Sequence, residues 1–217
     1  MNRDFEFKQL LRAFRAGIIS EKTFEGEMAE LEHGAGHSGA NGANGASGGF
    51  RAFGKNYGSE REAVISFLDR AFAAESNGAA TFENWAKLCT TDCIRGGIKM
   101  IAEREAYHAR IFKNRLRELG AKPSAPVNED GRKFKEAMSD PNLKDTEKLL
   151  VHHKLVADPV VFFQAISEFA ERITEDVETK EVIKLFVQDE ISSGTWLNAS
   201  CAALNAPAAS VAQAEAM

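Results

Sequence analysis

The stretch Ile98-Lys99-Met100-Ile101-Ala102-Glu103-Arg104-Glu105-Ala106-Tyr107-His108-Ala109-Arg110-Ile111-Phe112 decides how this chain is read. Its apolar residues, with Ile94 before and Leu116 after, recur in the order Ile94, Ile98, Ile101, Phe112, Leu116. Steps of three and four residues are the period of one helix face. Two polar residues keep the same step: Glu105 and His108 follow Ile101, and Phe112 follows His108. A carboxylate and an imidazole therefore point inward with the isoleucines. Residues three apart share a helix face, so a Glu-x-x-His pair can bind one ion together.

The preceding segment carries a matching stripe, Val64, Leu68, Phe72, Ala79, Phe82 and Ala86, with Glu75 between Phe72 and Ala79. Ser59-Glu60-Arg61-Glu62 reads as a capping box that opens this helix. The helix should end near Leu88–Thr91, and the next should end at Gly120, a natural C′ residue. With the turn centred near Thr90, Glu75 lies 15 residues before it and Glu105 lies 15 after it. Equal distances from the turn of an antiparallel hairpin mean equal height, so Glu75, Glu105 and His108 should meet at one depth of the core. Buried carboxylates cost several kcal/mol each without compensation, and two repel one another. A divalent cation answers both problems. The plainer alternative is a protonated Glu, or Arg and Lys reaching inward.

Outward from this hairpin, residues 121–144 hold Pro123, Pro126, Gly131 and Pro141 and read as a long crossover with a short helix at Arg132–Met138. A third helix is expected from Asp145 to about Ile173, interrupted by Pro159, and a fourth from about Thr179 to Leu204. No strand pattern of any length is present. The fold class is therefore all-α: a four-helix bundle of two helical hairpins joined by a long crossover, over residues 59–204. Residues 1–32 read as an additional N-terminal helical hairpin, with Leu10, Leu11, Phe14 and Ile18 on its first stripe and Phe24, Met28 and Leu31 on its second. Residues 33–58 read as a Gly-rich linker and 205–217 as a flexible Ala-rich tail.

The two main hairpins superpose with a constant shift of 85 residues, which puts Ile98 on Ile183, Ile101 on Phe186 and Glu105 on Glu190. Glu75, the 30-residue step to Glu105, and His108 three further on resemble the first half-site of the ferritin-like superfamily, whose nearest members are rubrerythrin-like and other di-metal carboxylate bundles. That resemblance implies a second half-site in the second hairpin, and the chain departs from it there. Glu190 is retained, but His108 maps to Ser193 and Glu75 maps to Val160, just after Asp158-Pro159. Asp158 is a possible substitute if the helix kinks; Glu168 lies too far along. The expected metal site is Glu75, Glu105, His108 and Glu190. Three carboxylates and an imidazole suit one iron, manganese or zinc ion, with a weaker second position possible. The resemblance implies iron or manganese, and a rubrerythrin-like or ferroxidase-like oxidoreductase acting on O₂ or peroxide.

Net charge of −5 argues against nucleic acid as a partner. No apolar run approaches a membrane span, and the start Met1-Asn2-Arg3-Asp4 lacks a signal layout, so a cytoplasmic protein is expected. Cys89, Cys93 and Cys201 form neither a disulfide framework nor a C-x-x-C pair, and three cysteines cannot build a rubredoxin module. His33, His37, His152 and His153 read as linker or packing histidines, and Tyr107 diverges from His108. A second functional reading remains open: a degenerate, non-catalytic bundle serving as an oligomerisation or partner-docking module. A homodimer is the default expectation in either case.

Overall fold

The computed structural model describes Phe24, Glu25, Met28 and residues 49–206. The expected N-terminal hairpin, most of the Gly-rich linker and nearly all of the tail lie outside the described residues. Those described are mostly helical. A short hairpin, β1 (Phe50–Ala52) and β2 (Lys55–Tyr57), precedes six helices: α1 (Glu60–Leu88), α2 (Asp92–Glu118), α3 (Glu129–Ser139), α4 (Asp145–Leu155), α5 (Pro159–Arg172) and α6 (Val177–Asn205). No single helix among the described residues is long and apolar enough to cross a membrane.

Local signals set the element ends. Ser59 caps α1, its side chain accepting from the Glu62 amide. At the end of α2, Gly120 takes a φ of +73°, and the amides of Gly120 and Ala121 donate to the carbonyls of Arg117 and Leu116. This is the Schellman pattern, in which a left-handed glycine lets two otherwise unpaired carbonyls be satisfied. The crossover contains α3, longer by a few residues than the short helix expected from sequence.

Two expectations are corrected. The strand-free linker reading of 33–58 fails at its end, where β1 pairs antiparallel with β2. Phe53 (φ 51°) and Gly54 (φ 73°) form the turn, the positive φ pair that a two-residue hairpin needs. Phe53 pays for this conformation by packing: its ring lies 4.9 Å from that of Phe169 and 6.0 Å from that of Phe67. The third helix is also two helices rather than one kinked rod. The chain leaves the helix at 156–158, and α4 and α5 meet at 47°. Pro159 is the first residue of α5, where its missing N–H costs nothing, and Asp158 caps that helix by accepting from the Val161 amide. Asp158 is thereby committed to the cap instead of the core, and Val160 is 61% exposed.

The shift of 85 residues maps α1 onto α4 plus α5 and α2 onto α6, with both helix starts coinciding. The burial pattern repeats as well: Ile94, Ile98, Ile101, His108, Phe112 and Leu116 map onto Thr179, Ile183, Phe186, Ser193, Leu197 and Cys201, all buried. The end caps repeat reciprocally. Asp145, first residue of α4, accepts from the Thr90 and Thr91 amides of the α1–α2 turn at 2.9 Å each, and from Trp85 Nε1 at 2.8 Å. Glu60, first residue of α1, accepts from the Thr174, Glu175 and Asp176 amides of the α5–α6 turn at 2.8 to 3.0 Å. Each hairpin thus closes the other's turn. Two apolar clusters result. One is built around Phe67, Phe112, Phe169 and Phe186, the other around Phe82, Trp85, Ile98 and Leu197.

Candidate metal centre

Between the two apolar clusters lies a layer of acidic side chains and one histidine. Glu75 comes from the middle of α1, Glu105 and His108 from α2, and Glu190 from α6. Glu75, Glu105 and His108 are buried, and only 12% of the Glu190 side chain is exposed. One ligand-type atom from each of Glu75, His108 and Glu190 lies within 4.8 Å of the others. His108 Nδ1 is 3.2 Å from Glu75 Oε2 and 3.3 Å from Glu190 Oε1. Glu105 hydrogen-bonds to Glu75 across the α1–α2 interface. The structure thus brings all four sequence-expected residues into one layer, three of them around a common point and Glu105 beside it.

The electrostatics follow from burial. Desolvation raises the Glu75 carboxyl well above the usual range, and the Glu190 charge adds to it. Glu105 is raised well above its range by burial and by the charges of Glu75 and Glu190. The two carboxyls share a hydrogen bond, which requires a proton between them. Burial pulls His108 down, but the Glu190 and Asp189 carboxylates outweigh it and raise the imidazole overall. One group stays unsatisfied in this network. Glu190 Oε1 is buried with no hydrogen-bond partner, its distance to His108 Nδ1 being an ion-pair distance without hydrogen-bond alignment. A buried, orphaned carboxylate oxygen is expensive.

The residues present fit a divalent cation. A cation among Glu75, His108 and Glu190 would satisfy the orphaned oxygen and remove the repulsion between carboxylates. The donor set of carboxylates and an imidazole is one that iron, manganese and zinc accept.

Three supporting residues escape the sequence reading. Asp189 Oδ2 lies 3.1 Å from His108 Nε2, which fixes the ring through the nitrogen opposite the cluster. Metal-binding histidines are commonly held by such a carboxylate. Arg104 donates to the Asp189 carbonyl at 2.9 Å and to Ser193 Oγ at 2.8 Å. Ser193 is therefore the acceptor for Arg104, which accounts for a hydroxyl at the position equivalent to His108. By the 85-residue shift Asp189 is the image of Arg104 and Ser193 the image of His108, so these two contacts are images of one another. The repeat was the signal that could have found them. The third is Gly78, where a Cβ would collide with the Glu105 carboxylate. Tyr107 is half exposed and stands outside the layer, and Glu168 accepts from Gln164 at 2.7 Å.

A cavity of about 440 Å³ adjoins the layer, with Glu75, Glu105 and Glu190 among its lining residues. The three cysteines are free; Cys89 sits in the α1–α2 turn, so it is not stacked on Cys93 along one helix. No protein-family model matches the chain, and neither does any curated protein.

Proposed function

We propose that this chain is a ferritin-like four-helix bundle that binds one iron or manganese ion through Glu75, His108 and Glu190, with Glu105 as the adjoining carboxylate. The observation that carries the reading is the convergence of these side chains in a buried layer that leaves Glu190 Oε1 without a partner. A single ion is favoured because the position equivalent to Glu75 in the second hairpin is Val160, turned to solvent, and Asp158 is taken up as a cap. Zinc fits the same donors but supplies no redox chemistry.

The bound ion would supply electron exchange with a small oxidant such as O₂ or peroxide. The chain's own contribution is to hold the site. Asp189 orients the His108 ring, Glu105 links α2 to α1 through its hydrogen bond to Glu75, and the two apolar clusters pack the bundle on either side of the layer.

The test is metal content and affinity on the purified full chain. After anaerobic loading with Fe(II) or Mn(II), about one ion per chain is expected, with His108→Ala and Glu75→Gln each weakening binding by about tenfold or more. Stoichiometry near zero in the wild-type chain, or retention of the ion in both variants, overturns the reading.

A further inference from the structure

We propose that the cavity beside the acidic layer is a binding site for a small, uncharged, largely apolar organic molecule bearing one hydrogen-bonding group. Its volume of about 440 Å³ falls in the range of roughly 300–1,000 Å³ that accepts such ligands. It is open to solvent on one side, so a ligand can enter it without the helices parting. Its walls are aromatic: Phe67, Phe82, Phe134, Phe162, Phe163 and Phe186 all face it. The interruption of the second hairpin borders it, with Leu155 lining it before the break, Val156 within the break, and Phe162, Phe163 and Ile166 after. In the first hairpin the equivalent stretch, 71–73, is unbroken helix. The repeat is thus abandoned where it adjoins the cavity.

The polar part of the argument rests on His152. It lines the cavity, is 7% exposed, and its Nδ1 is buried without a hydrogen-bond partner. A ligand hydroxyl or carbonyl supplies the partner that the chain does not. Burial, with His153 adding to it, holds the imidazole down at about 4, so the ring is neutral near pH 7. The lining is largely apolar and carries the carboxyl groups of Glu75, Glu105 and Glu190, while its Arg70 donates to the Ser66 carbonyl and the Tyr57 hydroxyl, so burying an anion there is costly. Ala74 on α1 and Pro126 of the crossover are exposed lining residues, so the cavity meets solvent beside them. None of this depends on a bound ion, so the inference goes beyond the metal reading and stands apart from it.

The experiment is calorimetric titration of the full chain, metal-free and Mn(II)-loaded, with 2-naphthol, naphthalene, 2-naphthoate and 2-naphthylmethylammonium. The expected result is saturable, equimolar binding of 2-naphthol in both forms, about tenfold or more tighter than 2-naphthoate. Ala74→Trp, an exposed position, should narrow the entrance and weaken 2-naphthol by about tenfold with Mn(II) uptake retained. His152→Leu, checked for helicity by circular dichroism, should remove the advantage of 2-naphthol over naphthalene. No saturable 2-naphthol binding, or binding indifferent to Ala74→Trp, overturns the inference. Preference for the ammonium probe, with displacement by Mn(II), also overturns it and assigns recognition to the carboxylates. A chain that binds 2-naphthol but no metal defeats only the metal reading; metal without 2-naphthol defeats only this one.

Discussion

Gly78 occupies the middle of α1, where glycine costs a helix about 1 kcal/mol relative to alanine. Its compensation lies across the interface, because the space a Cβ would fill holds the Glu105 carboxylate. Gly78→Ala therefore sets two effects against one another: better helix propensity and a displaced ligand-layer carboxylate. Metal affinity should fall by about tenfold, and the melting temperature of the metal-free chain should not rise as propensity alone predicts. Gly78→Ala combined with Glu105→Ala should recover the propensity gain but not the metal. Calorimetry with and without Mn(II) on the three variants checks this; a Gly78→Ala chain with unchanged affinity would remove Glu105 from the site. Glu75, Glu105 and His108 were legible in the sequence because each interrupts an apolar stripe at a helical step, and Glu190 because the 85-residue shift places it on Glu105. Gly78 and Asp189 were not, because each acts through a neighbour on another helix, and one helix's periodicity says nothing of what approaches it.

At the scale of elements, the turn-closing carboxylates decide how the two hairpins are held together. Burial pushes the Asp145 carboxyl upward, but donation from Trp85, Thr91 and Thr90 outweighs it and brings the group down to about 2 from 3.8. A depressed folded value contributes stability that is complete above the unfolded value and fades as pH falls from about 3.8 toward 2. The shift corresponds to roughly 2 kcal/mol. Asp145→Asn should accordingly be less stable than wild type by about 2 kcal/mol at pH 7, with the gap closing by pH ~2. Glu60, also lowered against the upward pull of burial by its Thr174, Asp176 and Glu175 amide donors, should behave in the same sense on substitution to Gln. Urea denaturation at several pH values measures it; a gap independent of pH would mean that geometry, not charge, holds the turns. Helix ends at Ser59 and Gly120 could be read from sequence because caps are local chemistry. The division at 156–158 could be read only as an interruption, since a proline fits equally a kink or a fresh N-terminus. The β1–β2 hairpin escaped because three-residue strands carry no period.

For the whole molecule, the acidic layer is where both hairpins contribute side chains to one buried polar cluster, besides the carboxylates that close each other's turns. Glu75 and His108 belong to the first hairpin and Glu190 to the second, with apolar clusters on either side of them. An ion held by all three cross-links the hairpins in the native state alone, because the unfolded chain does not bring the three side chains together. Binding to the native state adds RT ln(1 + [L]/Kd), about 2.7 kcal/mol at a hundredfold excess over Kd. For a chain of this size each kcal/mol raises the melting temperature by about 2–4 °C, so Mn(II) should raise it by roughly 5–11 °C over the chelator-treated protein. Glu190→Gln should abolish most of that rise; in the metal-free chain it removes the repulsion with Glu75 and Glu105 together with the ion pair to His108, so the difference between the two melts is the readout. Native-state hydrogen exchange locates the effect: added Mn(II) should slow exchange in the middle of α6 as much as in α1 and α2. Protection confined to α1 and α2 would mean that the ion rests on the first hairpin alone and that Glu190 faces it without binding.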